Sequence, residues 1–214
     1  MKKKINWTSY GLEFLTVLIG ILIAFQLNEY ATGRQQQNTL KEHFRYIAEE
    51  TEYNRKSMTR GLSNTEQVLE AVDSVLSLIQ SKGDINTINR MAFRILKFDG
   101  VYLKRNAYVT LIESGDIRFL KDFQLKSATI NLYEFYKWTA AIEQIGYDTM
   151  SERYYPYLFR NFDLLNGELQ DKAVYYSQEF VNALAMFRFA LDSRIQKYKD
   201  CLGQIEKYQA RLSS

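Results

Sequence analysis

From Tyr10 to Leu27 runs a hydrophobic stretch that holds one acid, Glu13, and Lys2, Lys3 and Lys4 stand before it. As a helix, those ~18 positions are about 27 Å long, close to the ~30 Å hydrocarbon core of a bilayer. The strictly apolar run, Phe14 to Phe25 with Thr16 interrupting, also has the length of a signal-peptide core or a buried helix. The flank favours an uncleaved anchor: Phe25, Gln26, Leu27, Asn28 and Glu29 follow, without the small residues at A-x-A spacing that a cleavage site needs. The sequence therefore divides into a short N-terminus (1–9), a membrane span (10–28) and an outer domain (29–214). Cations resist translocation, and the lysines before the span outweigh the dispersed Arg34, Lys41 and Arg45 after it. That asymmetry predicts a cytoplasmic N-terminus and a main domain in the periplasm of a bacterial inner membrane.

A formal net charge of +3, with cations and acids interspersed, leaves no basic block of the kind a nucleic-acid site shows, so no nucleic-acid partner is expected. The lone Cys201 cannot form an internal disulfide; it reads as a small buried hydrophobe, with a bridge across a dimer as the alternative. With one proline in 214 residues, Pro156, and abundant helix formers, long helices are expected and sheet is not.

Apolar spacing places the helices. The anchor continues outward through Leu40, Phe44, Ile47, Thr51 and Asn54, weakened only at Gly33. A second helix is expected to open at Ser63, where Ser63 and Glu66 match a capping box, to carry Val68, Leu69, Val72, Val75, Leu76 and Ile79, and to end before Gly83. Thr87 to Leu96 fits a third, capped by Asp84 or Asn86, and Gly100 marks a loop. The next begins after Asn106 and stops at Gly115, which takes the left-handed conformation cheaply. Asp116 or Asp122 restarts the chain; Phe123 to about Tyr154 is helical, and Pro156 ends it. The last helix, from about Ser177 to Leu212, places Phe180, Leu184, Phe187, Leu191, Ile195, Tyr198, Leu202, Ile205, Tyr208 and Leu212 on a bundle or coiled-coil seam. The expected fold is all-α: a transmembrane helix continuing into an antiparallel bundle, with the long C-terminal helix packing back toward the membrane.

Two stretches carry a resemblance. Gly11-Leu12-Glu13-Phe14 through Val17-Leu18-Ile19-Gly20-Ile21-Leu22-Ile23-Ala24-Phe25-Gln26-Leu27-Asn28, and Tyr108 through Ser114-Gly115-Asp116 to Leu120, are similar to segments of a family of uncharacterised bacterial single-span membrane proteins, classed as a domain of unknown function. The sequence departs from that family after Asn28, with Glu29-Tyr30-Ala31 in place of a tryptophan-rich turn. The resemblance implies an anchor and a helical outer domain, and supplies no activity or catalytic residues.

Motifs for chemistry are sparse. The only histidine, His43, reads as a solvated helix residue, and no zinc spacing, nucleophile elbow, phosphate loop or dinucleotide fingerprint is present. Glu49, Glu50 and Glu52 alternate with Arg45, Arg55 and Lys56 and read as an ion-paired surface. No cofactor, metal or catalytic residue is expected. Two interaction sites are. In the span, Thr16, Gly20 and Ala24 form a small-residue stripe that lets another helix approach, and Glu13 lies one turn earlier on nearly the same stripe. Glu13 then faces a partner in the membrane, or sits as an ordinary group at the headgroups. Outside the span, Arg153, Tyr154, Tyr155, Tyr157 and Arg160 gather around Pro156, as a partner-contact turn or as an aromatic cap on the core.

Three function classes follow. The first is a non-enzymatic anchored interaction or scaffold protein, an accessory of a membrane or envelope assembly, with lipid, itself, another membrane protein or an envelope protein as partners. The second is the small single-span subunit of an ion-driven complex using Glu13. The third, an enzyme of unrecognised type, has no catalytic constellation to support it.

Overall fold

The computed structural model describes residues 7–163, 165–166, 168–169 and 171–212. The lysines taken to set the topology, Lys2 to Lys4, lie outside the described residues. The fold is all-α: α1 (Trp7–Gln80), α2 (Ile85–Ile95), α3 (Asn106–Glu113), α4 (Phe123–Thr149), α5 (Tyr155–Asn161) and α6 (Gln178–Leu212), with one small hairpin of β1 (Phe162–Asp163) and β2 (Glu168–Leu169).

At 74 residues, α1 is about 111 Å long. The break expected at Ser63 does not occur. Along the outer part of α1, Leu40, Phe44, Ile47, Thr51, Asn54, Met58, Gly61, Thr65, Val68, Val72, Val75 and Ile79 follow one another by three and four without interruption, and all but half-buried Phe44 are buried. That seam crosses the capping-box pattern, and packing along it outweighs the local signal. Gly83 does follow the end of α1, but the left-handed residue there is Lys82 (φ 52°). Gly83 packs close to the preceding turn: a Cβ on it would sit 2.7 Å from Leu78 Cδ2, so that side-chain tip would have to move, while its N–H closes the helix on Leu78 O at 2.8 Å.

From the far end of α1 the chain returns toward the apolar N-terminal part of that helix. Asp84 caps α2 through the Thr87 N–H, Gly115 is left-handed (φ 74°), and Asp122 caps α4 through the Leu125 N–H, as the sequence suggests. Between α2 and α3 the backbone is extended and strapped onto α1. Asn64 accepts from Asp99 N–H and donates to Lys97 O; Asn54 accepts from Lys104 N–H and donates to Lys104 O, both at 2.8 Å; Glu50 accepts from Ala107 N–H at 3.0 Å. As the chain advances from Lys97 to Ala107, its partners on α1 run backward from Asn64 to Glu50, which fixes the antiparallel register. An extended segment on a helix has no ladder to join, so α1 side chains satisfy its backbone.

α4 then runs outward and α6 returns between α1 and α4. Pro156 does not end the helix. Pro156 cannot donate to Glu152 O, and the turn Met150–Tyr154 is wide, with Tyr155 N–H bonded to Met150 O, so the chain carries across the proline into α5. On α6 a buried seam of Phe180, Leu184, Phe187, Leu191, Arg194, Tyr198, Cys201, Ile205 and Tyr208 alternates by four and three, and Ala183, Ala190 and Lys197 are buried beside it. Arg194 and Cys201 occupy seam positions that hydropathy assigns to Ile195 and Leu202. Exposed ion pairs flank the packed α1–α6 seam in matching register: Arg188 Nε with Asp73 Oδ1 at 2.6 Å and Lys199 Nζ with Glu66 Oε1 at 3.3 Å.

Two apolar cores result. One joins Val68 to Ile79, α2, α5 and the start of α6; the other, nearer the apolar N-terminal part of α1, joins Leu40, Ile47 and Met58 to Leu132, Tyr133, Tyr136 and the end of α6.

Candidate functional site

The N-terminal part of α1 is the one helix among the described residues long and apolar enough to cross a membrane, with mean hydropathy 1.9 in its most apolar window and none of that window buried. Glu13, Thr16, Gly20 and Ala24 are exposed along it, at spacings of three, four and four. Thr16 Oγ1 donates to Leu12 O at 2.9 Å, which ties its hydroxyl to its own helix. A Cβ on Gly20 would meet nothing within 4 Å, so the face is open to lipid or to another helix.

The aromatic turn divides. Tyr154 and Tyr157 belong to the core and not to a contact surface, which corrects the partner-contact assignment for both. Tyr154 is fully buried and donates to Ala92 O at 2.9 Å; Tyr157 donates to Val174 O at 2.6 Å, and both rings stack on Phe180. Buried hydroxyls need such partners, and burial raises both phenols above the usual tyrosine value. Tyr155 is half-buried against the same core. Arg153 and Arg160 do reach the surface. They line an open groove of about 740 Å³ between the end of α4 and the start of α6, with Ile145, Glu152, Glu179 and Met186. Arg160 Nη2 pairs with Glu179 Oε1 at 3.0 Å, an exposed bridge worth ~0–1 kcal/mol. Exposed Ile145 and Met186 make the groove partly apolar.

Between the two cores lies a polar layer that the apolar pattern hides. The Arg194 side chain is wholly buried: it donates to Glu143 Oε1 at 3.0 Å, to Tyr198 OH at 2.7 Å and to Asp99 O at 2.5 Å, with its guanidinium 4.3 Å from the centre of the Phe98 ring. Glu143 also accepts from Val101 N–H. Burial pushes the Glu143 carboxyl above its ordinary value, and Arg194 beside it partly offsets that rise. Gly61 makes the layer fit, since a Cβ there would come within 2.1 Å of Val101 Cγ2.

Other polar groups also sit differently from expectation. His43 is not simply solvated; its Nε2 lies 2.9 Å from Asp116 Oδ2 in a half-buried pair that holds the 3-10 turn Asp116–Phe119 to α1, and the His43 hydrogen bond keeps the Asp116 carboxyl below the usual range. Glu49 and Glu52 do lie in surface ion pairs with Arg45 and Arg55, but Glu50 is buried beneath Tyr133 and Ala107. The Cys201 thiol is buried and pushed up to about 11, chiefly by desolvation, so in the folded chain it is neither a ready nucleophile nor placed to bridge a dimer. Among the described residues no group of three or more His, Cys, Asp or Glu is placed to hold a metal.

Asn54 and Arg194 each sit in register with an apolar seam, and a polar residue in such a position was the available signal for both. No family model, curated protein or solved structure matches the chain.

Proposed function

We propose that the chain is a membrane-anchored helical interaction protein, an accessory part of a membrane or envelope assembly, working without chemistry of its own. The observation that carries this reading is the continuity of α1, whose apolar N-terminal part and bundle seam lie on one helix with no break between them. A contact made by one is thereby mechanically connected to the other. In this reading the anchor lies in a bacterial inner membrane with its N-terminus in the cytoplasm and the bundle in the periplasm, in keeping with the resemblance to bacterial single-span membrane proteins. The open Glu13, Thr16, Gly20, Ala24 face supports association within the bilayer, and the Arg153–Arg160 groove supports a second contact outside it.

The test separates the two surfaces. Gly20→Leu should weaken self-association, or association with another membrane protein, in an intramembrane energy-transfer assay. A photo-crosslinking side chain at Arg160 should trap a discrete adduct. If association is unchanged, lipid faces the stripe; if function also survives loss of the groove and fails on changes to polar residues deep in the bundle, the chain is an enzyme or small-molecule receptor. A second reading, the small subunit of an ion-driven complex, draws on the exposed Glu13. It requires Glu13→Gln to abolish ion-coupled activity while leaving association with a multi-span partner intact.

A further inference from the structure

The fold gathers cations where α1 leaves the span. Arg34 and Lys41 are seven residues apart, within about 20° of one another around the helix. Against them packs the turn after α3, which brings Arg118 and Lys121 to the same side, and the four line one open concavity of about 850 Å³ with Tyr30, Gln37, Asn38 and Phe119. These residues come from positions more than 70 apart in the chain, so only folding assembles the cluster. The neighbouring acids are engaged mainly elsewhere: Glu42 with Arg45, Asp116 with His43 at 2.9 Å while feeling Arg118 only through space, and Asp122 with the Leu125 N–H and Arg211. Glu29 points about 140° around α1 from Arg34. Among the described residues no ion pair to a carboxylate involves Arg34, Lys41, Arg118 or Lys121, while the Arg118 guanidinium lies 4.6 Å from the centre of the Phe119 ring.

The end of the cluster nearest the apolar stretch lies close to a bilayer surface. With the hydrocarbon edge near Leu27, Tyr30 falls about 4.5 Å beyond it, in the interfacial layer where tyrosine rings settle. The Arg34 backbone lies about 10 Å beyond it, a few ångström outside a headgroup layer that is ~5–8 Å deep, a gap its long side chain can span. Lys41 is a further ~10 Å out, and Arg118 and Lys121 flank this stretch, beside the helix. A tilt of ~20°, common for single spans, lowers whatever stands off the helix axis on the tilted side.

We propose that this collar of Arg34, Lys41, Arg118 and Lys121 docks on anionic lipid headgroups, so that the bundle leans on the membrane on that side. The inference rests on α1 spanning the bilayer as described above. Three unpaired long cations with a stacked arginine suit phosphate oxygens, and juxtamembrane cations are drawn to anionic leaflets over about a Debye length, ~8 Å at physiological salt.

The experiment uses the full chain in nanodiscs of phosphatidylcholine alone or mixed with phosphatidylglycerol, reading amide hydrogen exchange at Ile117 to Asp122. Docking predicts exchange about fivefold slower in the anionic discs for one engaged cation, and slower again for several. The effect should vanish in ~1 M salt, where the Debye length is ~3 Å, and in the variant Arg34→Gln, Lys41→Gln, Arg118→Gln, Lys121→Gln. Unchanged exchange along Ile47 to Val75 in that variant shows that the bundle remains folded. Equal exchange in both discs overturns the proposal, as does protection reproduced in neutral discs by inorganic phosphate, which would make the collar a site for a free anion. Extraction of the chain from the discs by alkaline carbonate is a separate outcome that overturns the span itself.

Discussion

Replacing Arg194 by Met removes a buried cation while keeping most of its aliphatic packing. The substitution leaves the mostly buried Glu143 carboxylate without its counter-ion and Asp99 O without a donor. Breaking one side of a buried pair costs about 3–5 kcal/mol, and for a chain of this size 1 kcal/mol moves the midpoint by about 2–4 °C, so Arg194→Met should lower Tm by about 6–20 °C. Glu143→Gln retains an acceptor for the Val101 N–H, so the double variant Arg194→Met, Glu143→Gln should regain most of the loss. The pH dependence has a definite sign. Folding raises the Glu143 pKa from 4.5, so its contribution to stability is fully present below that value and is lost as pH rises through the folded value. Without Arg194 the folded value rises further. The deficit of Arg194→Met relative to the native chain should therefore be smallest below pH ~4.5 and grow toward neutrality. Urea unfolding of the full chain in nanodiscs, followed by helical circular dichroism and Trp138 fluorescence across that range, measures it. A deficit independent of pH, or a double variant no more stable than the single one, would refute the account of Arg194 and Glu143 as a mutually compensating pair.

Gly61→Ala should destabilise the bundle by about 1–3 kcal/mol in the same unfolding assay, because the new methyl overlaps Val101 and crowds Tyr198 at 3.1 Å. Asn54→Ala removes two hydrogen bonds to Lys104 and should cost about 2–4 kcal/mol, with amide exchange rising first at Val101 to Arg105; rigid protection of that segment would show that the strap is held by other contacts. Residues 36 to 214, expressed without the span, should be soluble and predominantly helical, since both cores lie beyond Gln35, and a sheet-dominated dichroism spectrum would contradict the fold.

Local signals carried much of the architecture. The apolar stretch of Tyr10 to Leu27, the caps at Asp84 and Asp122, the left-handed Gly115 and the seam of α6 are all legible in sequence, because each depends on near neighbours along the chain: an apolar run, a side chain three residues from the amide it caps, a residue without Cβ. The failures have one physical origin. Ser63 looks like a helix start until the seam from Leu40 to Ile79 is packed against α6, and Pro156 looks like a stop until a wide turn shifts the hydrogen-bond register ahead of it. For Tyr154 and Tyr157 the sequence leaves contact turn and core cap open, and the choice falls to Ala92 O and Val174 O, from distant segments, which accept their hydroxyls. Glu50 reads as a surface polar group in sequence, and nothing there marks Arg194 or Glu143 as buried, because charge and hydropathy are properties of one residue. Whether such a group is buried depends on partners 42 to 95 residues away, such as Val101 for Glu143 and Asp99 for Arg194, and on the backbone groups that await it there. Sequence alone settled that this chain is helical and carries an apolar stretch long enough for a bilayer; the tertiary structure decided which polar side chains lie inside, because only packing brings a buried donor and its acceptor to the same place.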